Sequence, residues 1–369
     1  MESSRIYFDY NASSLIRPEA IKSVEKILSS YGNPSSIHKE GRYTRTLIEE
    51  SRDKIAKSIG TSNQNIIFTS GGTEAIDLAL NQNPGRIIIN STEHVAAFES
   101  SRGLNAEIDI LEVDENGLIK MDLLESLLKK GPSLVVIMYA NNETGVIQPI
   151  KKISKLVHLY GSILFCDAVQ AFGKITFCFD DLGVDLMALS AHKVGGFQGS
   201  GALVVSDEMT KLIPKISGGG QEFGIRGGTE NLLGIISFGE CASILWEDEK
   251  ENIRLRQLIA SLENDLSSMG AHIFGKNVDR LANTSLFSFS NLTADSLLIK
   301  LDLAGFSVSS GSACSSGKVT KSHVLKAMNV DENMQKGAIR ISLGWASEKK
   351  HINHLISFFK DIFNKAVEE

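Results

Sequence analysis

The chain has 369 residues, a length that suits about two domains of the usual ~100–200 residues. Its 42% hydrophobic and 22% charged residues are those of an ordinary globular protein, and a formal net charge of -6 excludes phosphate-backbone binding as a main task, because that needs a basic face. No apolar run approaches the ~20 residues that cross a bilayer, and the start Met1-Glu2-Ser3-Ser4-Arg5-Ile6 has the pattern of neither a signal peptide nor an organellar leader, so a cytoplasmic protein without a membrane partner is expected.

In chain order, Ile6-Tyr7-Phe8-Asp9-Tyr10-Asn11 reads as a short strand or extended arm. Pro18 opens a helix to about residue 30, since proline at the first helical position forfeits only an N–H that has no helical partner. After the turn cluster Gly32-Asn33-Pro34-Ser35-Ser36 comes a charged amphipathic helix over roughly 44–59, with Gly60 placed as its C-terminal cap. Strands and helices then alternate: strands at about 66–69, 86–89, 107–113, 134–138, 163–166, 184–189 and 202–205, with helices at about 74–81 and 153–160. Runs such as Leu134-Val135-Val136-Ile137-Met138 are apolar without alternation, as expected of strands covered on both faces. The prediction is an α/β fold on a mostly parallel sheet, with functional groups at the carboxyl ends of the strands, where Thr73, Asn142, Asp167 and Lys193 fall. A helical stretch over about 231–267 leads to a smaller α+β region, with strands at about 284–290 and 338–342 and helices at about 294–303 and 349–367. Two domains follow: a large one of 14–255, and a small one of 1–13 together with 256–369.

The cysteines Cys166, Cys178, Cys241 and Cys314 fit neither a disulfide framework nor a metal site, so no metal is expected. The first three sit in apolar or half-apolar runs, where a thiol is a small hydrophobe. Cys314 lies among small residues, Ser309-Ser310-Gly311-Ser312-Ala313-Cys314-Ser315-Ser316-Gly317, and is the thiol expected to react.

Candidate chemistry gathers around Ser190-Ala191-His192-Lys193, which closes the apolar run that begins at Val184. A lysine at the end of a buried strand suits a Schiff-base amine, which must be partly unprotonated to attack an aldehyde; a solvated turn lysine is the alternative. Ser70-Gly71-Gly72-Thr73-Glu74 joins a strand to a helix, so free N–H groups and the positive helix end suit a phosphate, or the turn is a plain connection. Asp167 suits either a protonated ring nitrogen or a helix cap, with Gln170 close behind it. His94 suits stacking on a flat heterocycle or a loop, and Asn142 in Asn141-Asn142-Glu143 suits a site or a turn. Together these parts are the ones that hold pyridoxal 5'-phosphate.

The sequence resembles the cysteine desulfurases of the class V aminotransferase group, the branch related to the NifS and IscS enzymes. The resemblance runs from Ile6-Tyr7-Phe8-Asp9-Tyr10-Asn11-Ala12 to Ile339-Arg340-Ile341-Ser342-Leu343-Gly344. Its most specific pieces are Thr92-Glu93-His94, Asn141-Asn142-Glu143, Asp167-Ala168-Val169-Gln170, Ser190-Ala191-His192-Lys193, Arg226-Gly227-Gly228-Thr229-Glu230-Asn231 and the Cys314 stretch. It implies the fold type I of pyridoxal phosphate-dependent transferases, with a sheet of the seven-stranded type. Lys193 would be the Schiff-base lysine, Asp167 would pair with the ring nitrogen, Gln170 would reach the ring oxygen and His94 would stack on the ring. Gly72, Thr73, Ser190 and His192 would hold the phosphate, with Thr229 reaching the phosphate of the other subunit, so a homodimer is implied. Asn142 and Arg340 would grip the carboxylate of L-cysteine, and Cys314 would take its sulfur as a persulfide, leave L-alanine and pass the sulfur to an acceptor protein for iron–sulfur cluster or thio-cofactor assembly.

The chain departs from the family pattern at Ala12-Ser13-Ser14-Leu15, where Ala-Thr-Thr-Pro is common, which puts the packing of the arm in question. Gly196-Phe197-Gln198-Gly199 stands where Gly-Pro-Lys-Gly is usual, and a looser loop is expected; the tail after Gly344 is short for docking a scaffold. Rival readings are a selenocysteine lyase, a class V aminotransferase that would leave Cys314 without a task, and a catalytically silent partner of a sulfur scaffold.

Overall fold

The strand-rich half of the sequence builds one sheet whose central strands are largely buried on both faces. The computed structural model describes residues 5–209, 211–245, 249–311 and 321–368, and Cys314 lies outside them. Seven strands form the central sheet in the order Ile66–Thr69, Gly201–Val205, Leu186–Ser190, Ile163–Asp167, Leu134–Met138, Arg86–Asn90, Glu107–Leu111. Only Gly201–Val205 runs against its neighbours; the other pairings are parallel. Side chains alternate faces along a strand, so Val135 and Ile137 pack with Ile88, Leu164 and Met187 on one side. Leu134 and Val136 pack with Ile87, Ile89, Phe165 and Leu186 on the other. Each such residue contributes about 1.5–3 kcal/mol by leaving water, which is why the central strands show no polar alternation, whereas the edge strand Glu107–Leu111 alternates and leaves Ile108 and Ile110 exposed.

The helix Lys39–Ile59 starts earlier than its apolar pattern predicts, because the His38 ring accepts a hydrogen bond from Gly41 N at 3.2 Å and caps it. It ends at Gly60 as expected, in a left-handed turn with φ +65, where a Cβ would meet Cys178 Sγ at 2.6 Å. The first helix is shorter than expected, Pro18–Glu25. The stretch read as one helix over 231–267 is two, Leu232–Ile244 and Glu249–Ser268. The helices Val95–Arg102 and Met121–Leu128, which cover the sheet, are additional to the predicted elements.

A separate apolar cluster joins Phe8 to Leu255, Leu262, Phe287, Phe306, Ile339 and Phe359. It lies on a second, antiparallel sheet in the order Ser309–Ser310, Ile339–Ser342, Thr284–Ser288, His272–Ile273. Ile6–Tyr7 pairs with Phe306–Ser307, so the N-terminal arm is anchored here before it crosses to the central sheet. Among the described residues no helix is long and apolar enough to cross a membrane.

One buried ion pair holds the edge strand that delivers the Gly71–Gly72 turn. Arg52, 1% exposed, donates to both carboxylate oxygens of Glu222 at 2.8 Å and to Ile66 O at 2.6 Å, with its guanidinium 4.6 Å from the Phe68 ring centre. Glu222 Oε2 in turn accepts from Phe68 N at 2.7 Å. Removing one partner of such a pair strands the other charge in a dry place. Arg52→Ala is therefore expected to lose about 3–5 kcal/mol in urea denaturation at pH 7, and a loss below about 1 kcal/mol would contradict the pair's role.

Candidate active site

The carboxyl ends of the parallel strands open into a cavity of about 270 Å³ lined by Gly72, Thr73, His94, Asn142, Asp167, Gln170, Ser190, His192, Lys193 and Arg340. These ten were given roles in the sequence reading; Asn11, Ala12, Ile76, Met138 and Val169, which also line the cavity, were not. Thr229 is elsewhere, exposed at a neighbouring cavity of about 120 Å³ with Arg226 and Glu230. Cys314 falls outside the described residues.

Lys193 ends the short helical turn Ala191–Lys193 directly after Leu186–Ser190. Its Nζ donates to the backbone carbonyls of Asn11 at 2.7 Å and Ala12 at 2.8 Å, so the N-terminal arm supplies its acceptors. Asp167, 3% exposed, ends its own strand; Oδ1 accepts from Val169 N at 2.9 Å, and Oδ2 has no partner among the described residues. Burial pushes its pKa up to about 6, against the opposing pull of the Val169 bond and of Lys193. Behind it Glu93 is fully buried, accepts from Met138 N and Asn90 Nδ2, and is held well above the usual carboxylate range by burial and then by Asp167.

His94 Nδ1 accepts from Ala96 N at 3.1 Å, so the ring caps the helix Val95–Arg102 and its remaining proton sits on Nε2. Burial, then the charges of Lys193 and His323, push its pKa down to about 4, so the ring is neutral at pH 7. His192 is likewise pushed down to about 4 by burial, Lys193 and Lys174. Gly72 starts the helix Gly72–Leu80, whose cap residue Gly71 makes no side-chain capping bond. A Cβ on Gly72 would meet Val169 Cγ2 at 2.8 Å, so only glycine lets the helix start sit this close to the wall.

These residues fit pyridoxal 5'-phosphate. Uncapped N–H groups at a helix start beside Ser190 and His192 suit its phosphate, the unpartnered Asp167 Oδ2 suits a protonated ring nitrogen, and Lys193 suits its aldehyde. Arg340, 2% exposed, is partly committed: Nη2 pairs with Asp9 Oδ1 at 2.7 Å and Nη1 donates to Asn142 O at 2.9 Å, while its buried Nε has no partner among the described residues.

The departures from the family pattern leave the local structure intact. The loop predicted to be looser is tied by Gly196 N to Ala191 O at 3.0 Å and by Phe197 N to Ser237 Oγ at 2.9 Å. The arm is held by Ser14 N to His192 O at 2.8 Å and by the Asn11 side chain, which donates to Thr284 Oγ1 at 2.9 Å. Sequence reasoning missed Asn11 and Lys174, whose Nζ donates to Asn11 Oδ1 and Gln170 Oε1; the available signal was a lysine four residues beyond Gln170 in an otherwise apolar turn.

Comparison with known proteins bears on the family and the fold. The aminotransferase class-V family matches residues 6–355. The cysteine desulfurase IscS of Dictyoglomus turgidum is 41% identical, over 98% of this chain and 95% of the relative. A cysteine desulfurase of Cereibacter sphaeroides is 35% identical over 98% and 96%. The crystal structure of a NifS-like protein from Rickettsia africae superposes with a TM-score of 0.91 at 36% identity, covering 98% of this chain and 99% of that one. The chain belongs to the class-V aminotransferase family, whose members of this kind use pyridoxal phosphate. Within it, the chain stands with the cysteine desulfurases.

Glu143, beside Asn142, provides a test of the site's electrostatics. It is buried, accepts from Ser322 Oγ at 2.5 Å, and burial pushes its pKa up to about 7 from an ordinary 4.5, against the pull of Ser322 and Arg340. The folded state thus keeps a proton that the unfolded chain has released, and native stability falls as pH rises from 4.5 to about 7. Glu143→Gln keeps an acceptor for Ser322 and removes the titration, so it is expected to be the more stable protein at pH 8.5, by up to ~3 kcal/mol, with the gap closing toward pH 5. A gap independent of pH in chemical denaturation would contradict the buried proton.

Proposed function

We propose that the cavity is the site where L-cysteine loses its sulfur, with Lys193, Asp167, His94 and Gln170 as its working residues and Cys314 as the receiving thiol. The observation that carries this reading is the convergence of Lys193, Asp167, His94 and the Gly72–Thr73 turn on one cavity of about 270 Å³. Pyridoxal phosphate, when bound, supplies the electron sink for the bonds broken at the substrate's Cα.

The chain's own residues do the rest. Lys193 would hold the cofactor through Nζ and would move the Cα proton from its place at the strand end. Asp167 would keep a proton on the ring nitrogen, and burial, then Asp167, hold the Glu93 carboxyl behind it well above the usual carboxylate range. His94, a neutral imidazole with its proton on Nε2, would cover the ring and could exchange that proton with the substrate thiol. Arg340 and the Asn142 carboxamide meet the substrate carboxylate, the arginine through its unpartnered Nε and by exchanging Asp9 for the incoming anion. Cys314 as thiolate attacks the substrate sulfur; the C–S bond breaks, a proton goes to Cβ, and L-alanine leaves with the sulfur retained as the Cys314 persulfide.

The same reading includes a homodimer, a sulfur-acceptor protein and the division into a large domain of 14–255 and a small one of 1–13 with 256–369. The separate apolar cluster around Phe8 and Phe287 supports the division. Exposed Ile16, Ile21, Tyr31 and Ile37 on and around the first two helices support a partner subunit. So does Glu230, whose two buried carboxylate oxygens lack hydrogen-bond partners among the described residues, next to the exposed Thr229.

Protein loaded with pyridoxal phosphate and given L-cysteine and a reducing thiol is expected to release alanine and sulfide in equal amounts. Cys314→Ser is expected to keep the bound chromophore and release no sulfide. A keto acid in place of alanine, or sulfide at the normal rate from Cys314→Ser, would overturn the reading, and an active monomer in sedimentation at assay concentration would overturn the dimer.

A further inference from the structure

Two lysines, not one, meet the arm at the edge of the cavity. Lys193 donates to the Asn11 and Ala12 carbonyls, and Lys174 donates to the Asn11 side chain at 2.9 Å and to Gln170 Oε1 at 2.5 Å. Among the described residues Lys174 has no carboxylate partner. Burial, then the charges of Lys193 and Arg340, hold its amine well below the usual lysine range.

The turn between Gln170 and Lys174 is tightly defined. Phe172 N donates to Ala168 O at 2.8 Å, Lys174 N donates to Ala171 O at 2.9 Å, and Gly173 takes φ +74 with space for a Cβ closed by Val194 Cγ1 at 2.7 Å. Lys174 is thus presented to Gln170 by a hydrogen-bonded turn in which Gly173 takes a conformation that favours glycine.

This arrangement leaves the Gln170 carboxamide only one orientation. Its Nε2 donates to Asn11 O at 2.8 Å, and a backbone carbonyl can only accept. Its Oε1 is taken by the Lys174 amine. A second Nε2 hydrogen is left over on a residue that lines the cavity.

We propose that Lys174 is a positioning residue that locks the Gln170 carboxamide so that it offers the cavity an N–H and never a C=O. The inference rests on the reading of Gln170 as the side chain that meets the ring oxygen of pyridoxal phosphate. An N–H there stabilises the deprotonated oxygen; a flipped amide would oppose it with a carbonyl. Lys174 touches neither cofactor nor substrate and acts through Gln170 alone.

The test is a pH titration of the visible absorption band of the pyridoxal phosphate-loaded protein, which reads the proton shared by the ring oxygen and its neighbour without turnover. Lys174→Met is expected to raise the apparent pKa by about one unit, tenfold in proton affinity. Gln170→Met is expected to raise it by a similar amount, and the double variant no further than Gln170→Met alone. If Lys174→Met shifts the band equally in both backgrounds, Lys174 acts by charge and the proposal falls. If Lys174→Met leaves the band unmoved while Gln170→Met shifts it, Gln170 meets the ring without help from Lys174, and the proposal falls while the reading of the cavity stands. An unmutated protein with no visible band overturns both. Should Lys174→Met fail to fold, Lys174→Leu, which also lacks a donor for Gln170 Oε1, takes its place, with the same upward shift expected and no shift overturning the proposal.

Discussion

The site depends on one constraint: an amine brought to the end of a fully buried strand needs acceptors, and the strand itself has none to give. Lys193 finds them in the carbonyls of Asn11 and Ala12. The arm that carries those carbonyls is anchored in the second apolar cluster through Phe8 and through Ser342 N, which donates to Phe8 O at 2.8 Å. Asp9 pairs with Arg340 on the way. The arm therefore joins the two sheets, and the cavity exists only where it docks.

Closing the cavity with an arm rather than with a charged loop sets the electrostatics. Water is displaced from groups that have few charge partners, so they respond by shifting protons. Asp167 rises to about 6, and His94 and His192 fall to about 4. Lys193, Arg340 and helix-start N–H groups remain to meet anions, which is the complement of a phosphate and a substrate carboxylate. The neutral imidazoles then act as hydrogen-bond partners without adding to the positive charge already there.

The central strands were legible because a sheet covered on both faces needs apolar residues at successive positions, and Leu134-Val135-Val136-Ile137-Met138 has no other use. The site was legible for a related reason: His94, Asn142, Asp167 and Lys193 each follow such a run, and strand ends on one edge of a sheet converge. The antiparallel course of Gly201–Val205 left no trace, since a buried strand looks alike in either direction. Helix starts were misplaced where a side chain decides them, as His38 does for Lys39–Ile59. Lys174 and Asn11 were missed because their meaning lies in each other, across 163 residues of sequence.

Both lysines beside the arm carry an amine within reach of Asn11, so the most direct test of the account is to find which one the cofactor joins. Protein loaded with pyridoxal phosphate, reduced with borohydride and digested, is expected to carry the cofactor's ring on the peptide containing Lys193, with Lys174 unmodified. The ring on Lys174, or on no lysine, would contradict the assignment of the strand-end amine on which this account of the site is built.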